Sequence, residues 1–247
     1  MRSSCRLLVS FRPVLLLYLG TFFLFLSCRK ISPEGRIERQ EMEISSVKII
    51  NAKGKYRIFW VHSRKNLIEI ETYKNIYDNL NILVGNDRLD ISEEKEVEKV
   101  DFYTLTVYSD KYPDCISISD SVEFNISGEM VRKDMHLNME NNAKFIGSLN
   151  IDSLKIDMKN GSLANFKGSA KNVFLNIRDT ASLIAPYLLI DKINIRARNG
   201  IYAEINVKDS LRGSVENSAK LVYYGSPAGR LKKTKYAVVE NKSLFDL

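Results

Sequence analysis

Leu154-Lys-Ile-Asp-Met-Lys-Asn160 and its successor Val173-Phe-Leu-Asn-Ile-Arg-Asp179 decide the fold: apolar residues alternate with polar ones, and an Asn or Asp closes the run. The same phrase occurs as Met135, Leu137, Met139 with Asn141, and again as Ile193, Ile195, Ala197 with Asn199. It begins at Ile116 and Ile118 and returns every 19 or 20 residues. Successive side chains of a strand point to opposite faces, so each run is a half-buried strand. A fixed period of this length means stacked units.

Set in register, one inward column reads Ile116, Met135, Leu154, Val173, Ile193 and the next Ile118, Leu137, Ile156, Leu175, Ile195. The outward columns read Ser117, His136, Lys155, Phe174, Asn194 and Ser119, Asn138, Asp157, Asn176, Arg196. Interior columns are apolar, whereas exterior ones are nearly all polar. The closing column of Asn141, Asn160, Asp179 and Asn199 uses the two non-glycine residues that tolerate a left-handed backbone, and Gly161 and Gly200 follow two of them. Shorter strands at Leu163 to Phe166 and Ser169 to Asn172 complete a coil of three strands and three turns. The sequence therefore predicts an all-β chain wound as a parallel β-helix of about 19–20 residues per coil. The L-x-x-L-x-L run of a leucine-rich repeat is missing. A single coil cannot cover its own core, so stability has to come from stacking.

Residues upstream of the repeat divide into three. Arg2, Arg6 and Arg12 precede the uncharged run Val14 to Leu26, which as a helix spans roughly 20 Å against about 30 Å of hydrocarbon. That is a signal-peptide core, not a membrane span. Phe25-Leu26-Ser27-Cys28 resembles a bacterial lipobox with Phe in place of the usual Leu. The resemblance implies cleavage between Ser27 and Cys28, diacylglyceryl attachment to the Cys28 thiol and acylation, as by palmitate, of its new amine. The boundaries that follow are a lipoprotein signal peptide over residues 1–27, a polar tether over residues 28–43, the repeat-bearing domain over residues 44–227 and a basic tail over residues 228–247.

The 247-residue chain carries a formal charge of +7. Losing the signal peptide leaves about +4, so much of the basicity belongs to targeting. Of three cysteines, Cys5 leaves with the signal and Cys28 takes lipid; Cys115 stands alone, with no intrachain disulfide open to it, and is expected as a small buried residue. From Ile44 the pattern changes to strands: Val47 to Ile50, Tyr56 to Val61, Leu67 to Thr72, Leu80 to Val84, Arg88 to Ser92 and Tyr103 to Val107. They form an N-terminal β-strand cap with Trp60 buried, and the tail from Arg230 caps the other end.

These strands also carry a family resemblance. Val47-Lys-Ile-Ile50, Tyr56-Arg-Ile-Phe59, Leu67-Ile-Glu-Ile-Glu71, Asp87-Arg-Leu-Asp-Ile91 and Leu105-Thr-Val107, closing on Gly213-Ser-Val215 and Tyr223-Tyr-Gly225-Ser-Pro227, resemble the head GIN domain of auto-transporter adhesins. That family is common in secreted and lipid-anchored proteins of Bacteroidota. The resemblance covers residues 44–227 and implies a right-handed parallel β-helix with an adhesin-like, non-enzymatic role. This chain is poorer in glycine and has Asn where the family usually has Gly-Ser pairs.

No cofactor motif is present, and with only His62 and His136 a histidine metal cluster or triad is nearly excluded. A polysaccharide lyase would need clustered exterior acids. Asp157 has no acidic neighbour in its column and lies among Lys155, Arg196 and Arg198, which predicts a charge-balanced surface. Phe174, Tyr202, Tyr223 and Tyr224 are the candidate surface-binding aromatics, able to stack on sugars or anchor a protein. Arg230, Lys232, Lys233 and Lys235 are expected to cap the helix or meet an anionic surface, with no nucleic acid as partner. The expectation is a lipid-anchored protein of the cell envelope, at the outer membrane, held to the bilayer through Cys28. It serves adhesion or scaffolding toward a glycan or an envelope protein, and the alternative is a carbohydrate-binding or polysaccharide-degrading β-helix.

Overall fold

In the computed structural model, which describes residues 30–243, strands pair in parallel with the same segment one coil later and build a β-solenoid of about seven turns. The signal peptide, Ser27 and Cys28 lie outside the described residues, as do the last four residues of the tail.

Five long strands carry the repeat: β9 (Glu123–Met139), β10 (Lys144–Met158), β11 (Leu163–Arg178), β12 (Ser182–Arg198) and β13 (Tyr202–Glu216). Each runs continuously around the coil where separate short strands were expected. Before them stand β1 (Ile37–Glu43), β2 (Ile49–Lys53), β3 (Arg57–His62), β4 (Leu67–Tyr73), the short helix α1 (Lys74–Tyr77), β5 (Leu80–Gly85), β6 (Arg88–Glu93), β7 (Tyr103–Ser109) and β8 (Cys115–Ser119). After them come β14 (Lys220–Tyr224), β15 (Leu231–Lys233) and β16 (Val238–Lys242).

The cap strands belong partly to the solenoid itself. β2 pairs in parallel with β6 and β8, and β3 with β7 and β9, so their inward Ile50, Ile58 and fully buried Trp60 open the core. β4 against β7, β5 against β6 and β1 against β4 are antiparallel and close the end. Part of the expected tether is thus a strand: Ile37–Glu43 lies on β4, with nearly every residue exposed. A strand wet on both faces has no apolar alternation to betray it. At the other end, β15 extends β13 and β16 extends β14 in parallel, so the basic tail adds rungs to the stack.

The expected columns hold from Met135 onward, where Met135, Leu154, Val173 and Ile193 are in register. Ile116, however, pairs with Leu137, and Ile118 with Met139. The slip comes from β9, where Asn125 aligns with Ile146 but Glu129 with Ser148, placing two extra residues beside Gly128. A shift of two keeps every side chain on its face, so both isoleucines are still buried. The alternation between 19 and 20 has the same kind of cause: Asn165 pairs with Ile184 but Lys167 with Tyr187, and the added residue falls at Pro186, which has no N–H for the ladder.

Turns stack as regularly as strands. Both residues of Asp120-Ser121, Asn141-Asn142, Asn160-Gly161, Asp179-Thr180 and Asn199-Gly200 have positive φ. In the first four, the second residue donates its N–H to the first turn residue of the next coil, from Ser121 to Asn141 O at 3.1 Å through Thr180 to Asn199 O at 3.1 Å. Side-chain amides add a second ladder, with Asn141 donating to Asp120 at 2.9 Å, Asn160 to Asn141 at 3.1 Å and Asn199 to Asp179 at 2.8 Å. Inside, Trp60, Phe124, Phe145 and Phe166 form an aromatic stack through successive coils, with centroids 6.3, 5.4 and 5.4 Å apart.

Candidate binding face

Alternation puts two polar columns on the outside of the sheet whose inside is the Leu154 and Ile156 columns. One runs Cys115, His136, Lys155, Phe174, Asn194, Arg212; the other runs Ser117, Asn138, Asp157, Asn176, Arg196, Ser214, Lys232. Asn51 and Asp90 continue the second column toward the N-terminal end. Cys115 is accordingly half-buried on an outward column, in place of the buried site expected for it.

Along these columns lies a groove. Its first section, about 500 Å³, runs from Asp90 and Asn51 past Ser117 and Asn138 to Asp157 and Asn176, and the core residues Ile118, Met139 and Met158 also line it. A second section of about 280 Å³ shares Asp157 and Asn176 and adds Phe174, Asn194 and Arg196. A third, about 310 Å³, shares Asn194 and Arg196 and reaches Ser214, Arg230 and Lys232. Neighbouring sections share lining residues, so concavities succeed one another along one face across most coils.

Its chemistry changes along its length. In the first section, amides and carboxylates bond along the stack: Asn51 Nδ2 to Asp90 Oδ1 at 2.5 Å, Asn138 Nδ2 to Ser117 Oγ at 3.2 Å and Asn176 Nδ2 to Asp157 Oδ1 at 3.0 Å. His136 Nε2 lies 2.9 Å from Asp157 Oδ2, and Lys155 Nζ lies 3.5 Å from it. Burial by itself would raise the Asp157 carboxyl, but the His136 and Asn176 hydrogen bonds and the Lys155 charge outweigh it and hold it below its ordinary value. A carboxylate so committed is a poor proton donor. In the last section Arg196, Arg230 and Lys232 are exposed, as is Arg212 opposite Asn194, and among the described residues none of them has an ion pair. The expected charge balance holds around Asp157 and fails here.

Of the candidate aromatics, Phe174 is 53% exposed and lines the groove. Tyr202 is half-buried, its hydroxyl 3.2 Å from Glu204 Oε2. Tyr223 pairs with the inward Ile205 and is half-buried, packed against the core. Tyr224 is buried at 1% exposure and donates its hydroxyl to Glu204; burial first, then that carboxylate, pushes its pKa up to about 12. β16 stacks on β14 and sets Asn241 and Lys242 beside Tyr223 and Tyr224, a covering rung that no apolar alternation in the tail announces. The structure thus retains Phe174 and brings to it the amide ladder and the tail cations.

A separate concavity of about 400 Å³ lies at the turn corner around Lys53, Lys55, Glu93, Glu96 and Asp120. Burial raises the Glu93 carboxyl, which accepts the Lys55 N–H at 3.0 Å. Glu96 is held low by Lys55, 2.5 Å away, and by Lys30. Among the described residues no group of three or more His, Cys, Asp or Glu could hold a metal ion, and no helix is long and apolar enough to cross a membrane.

Residues 46–227 match the family described as "Putative auto-transporter adhesin, head GIN domain". Among solved structures, a putative adhesin from Bacteroides fragilis is 17% identical, with a TM-score of 0.78 over 86% of this chain and 100% of that one. A putative adhesin from Parabacteroides merdae is 16% identical, with a TM-score of 0.70 over 86% and 99%. A structure described as a putative lipid binding protein from Parabacteroides distasonis is 16% identical, with a TM-score of 0.64 over 87% and 100%. At these identities the likeness is one of fold. No curated protein matches the chain.

Proposed function

The chain belongs to the auto-transporter adhesin, head GIN domain family, and from that premise we propose that it is a cell-envelope lipoprotein whose solenoid presents a non-catalytic binding face for adhesion or scaffolding. The observation that carries this reading is the run of adjoining concavities on one outward face, from Asp90 to Lys232, whose polar lining comes from side chains of the outward columns. A solenoid fills its interior and stitches its turns, which leaves this face as the surface with shape and unspent polar groups. The acids on it support binding over turnover: Asp90 is taken by Asn51 and Arg88, and Asp157 by His136, Lys155 and Asn176.

Anchorage follows from the lipobox-like Phe25-Leu26-Ser27-Cys28, with the outer membrane as the site of retention. Cys28→Ala is expected to abolish labelling with a palmitate analogue and release the protein from the detergent phase; persistence of both would remove the anchor. The binding reading is tested by attachment of the full-length protein to cell-envelope and host-surface preparations. Attachment without turnover of bound glycans is expected, whereas reproducible glycan cleavage would overturn the non-catalytic reading.

A further inference from the structure

We infer that the groove is a subsite-by-subsite cradle for one strand of an acidic polysaccharide, its carboxylate or sulfate groups seated on Arg196, Arg230 and Lys232. The inference rests on the binding reading above and names its ligand. Neighbouring rungs of a sheet lie about 4.7–4.9 Å apart, close to the length of one pyranose ring, so a sugar chain along the stack meets the same column once per unit. At each rung of the first section the column offers Asn, Ser or Asp. Hydroxyl groups both donate and accept, so they can bond the Asn and Ser side chains in either sense and donate to the Asp carboxylates. In Asn138 and Asn176 the Nδ2 atom bonds along the stack. Their Oδ1 atoms accept no side-chain bond among the described residues and remain open to a hydroxyl donor. Phe174, 53% exposed beside Asn176 and Asn194, supplies an apolar platform for a ring face.

The far end adds the charge selection. Arg196, Ser214 and Lys232 follow one another on the second column and with Arg230 line a concavity of about 310 Å³, while Arg212 pairs with Asn194 on the first column. Elsewhere on the solenoid exposed cations are cancelled by an acid one coil away, as Lys159 is by Glu140 at 2.5 Å and Lys171 by Asp152 at 2.7 Å. Three unpaired cations, Arg196, Arg230 and Lys232, lining one concavity with the Ser214 hydroxyl and the Asn194 amide make a receptor for an anion. Its continuity with the amide ladder favours a long hydroxyl-rich chain over a bilayer, which would call for a flat patch with an apolar rim.

The test uses the full-length protein in detergent micelles, with polygalacturonate and dextran sulfate as probes and neutral dextran, polyphosphate and phosphatidylglycerol vesicles as comparators. Both acidic polysaccharides are expected to bind, less tightly as salt rises. The triple variant Arg196→Gln/Arg230→Gln/Lys232→Gln should weaken binding about tenfold or more, because charge-assisted hydrogen bonds are lost, while Lys171→Gln changes nothing. Arg230→Gln alone, outside any strand, should give a smaller loss in the same direction and guards against misfolding of the triple variant. Asn138→Ala/Asn176→Ala should weaken polysaccharide binding and spare polyphosphate. Equal binding of polyphosphate or vesicles, or no effect of either set, overturns the cradle. If the triple variant loses polysaccharide but still attaches to envelope preparations, adhesion stands and the cradle is not its basis; if the wild type binds polysaccharide yet attaches nowhere, the reverse holds.

Discussion

Gly213 shows at a single residue why this chain cannot vary freely. It sits at φ +125°, directly across from Ile195, and a Cβ there would lie 1.8 Å from the Ile195 carbonyl oxygen. Gly225 is in the same position against Val207 O, at 2.2 Å. The two glycines of the closing signature are thus points where one coil touches the next, and the resemblance has a steric basis. Gly213→Ala is expected to destabilise the protein by about 3 kcal/mol or more, read as a fall in thermal midpoint. Asp157 gives a milder, pH-dependent case. Its native pKa lies below the ordinary 3.8, so its contribution is full above that value and disappears as pH falls through the native one. Asp157→Asn should therefore lower the thermal midpoint slightly at pH 7, with the difference closing in strong acid. An unchanged difference at low pH would mean that packing, not charge, is responsible.

At the scale of elements, what the sequence revealed follows from which face each residue shares with its neighbours. Runs such as Leu154, Ile156, Met158 were legible because burial and period coincide, and the Asn column because few residues accept positive φ. A period of two is blind to shifts of two, which is why the alignment of Ile116 with Leu137 needed the structure. β1 was hidden by having no buried face, and the aromatic stack by its place on a different part of the coil, outside the alternation that fixed the columns. Phe145 stands at the middle of that stack, 5.4 Å from both Phe124 and Phe166, and is fully buried. Phe145→Ala should cost about 3–5 kcal/mol, against about 1–2 kcal/mol for Asn160→Ala, which forces alanine into a left-handed turn and removes the bond to Asn141. Chemical denaturation of the two variants in parallel checks the order, and a larger loss for the turn variant would make the amide ladder, not the aromatic core, the main link between coils.

The groove exists only at the scale of the whole molecule, and for that reason the chain order concealed it. Arg196 sits in the repeat and Arg230 and Lys232 in the tail, yet β15 on β13 sets Lys232 beside Ser214 and completes the cationic end. What holds such a surface together is the register of complete coils, so a whole coil should be removable where part of one is not. Deleting residues 160–178 joins Lys159 to Asp179 and leaves Leu154 facing Ile193 through the same kind of turn, since Asn160 and Asp179 hold equivalent places in the stack. In a nearest-neighbour stack this removes one unit and its share of stability without removing cooperativity. Deleting residues 160–169 instead puts every later column out of register and turns apolar positions outward. The first variant should be a soluble, strand-rich protein with a single, lower melting transition, and the second should aggregate. Equal behaviour of the two in circular dichroism and size-exclusion chromatography would show that something other than coil register specifies the fold.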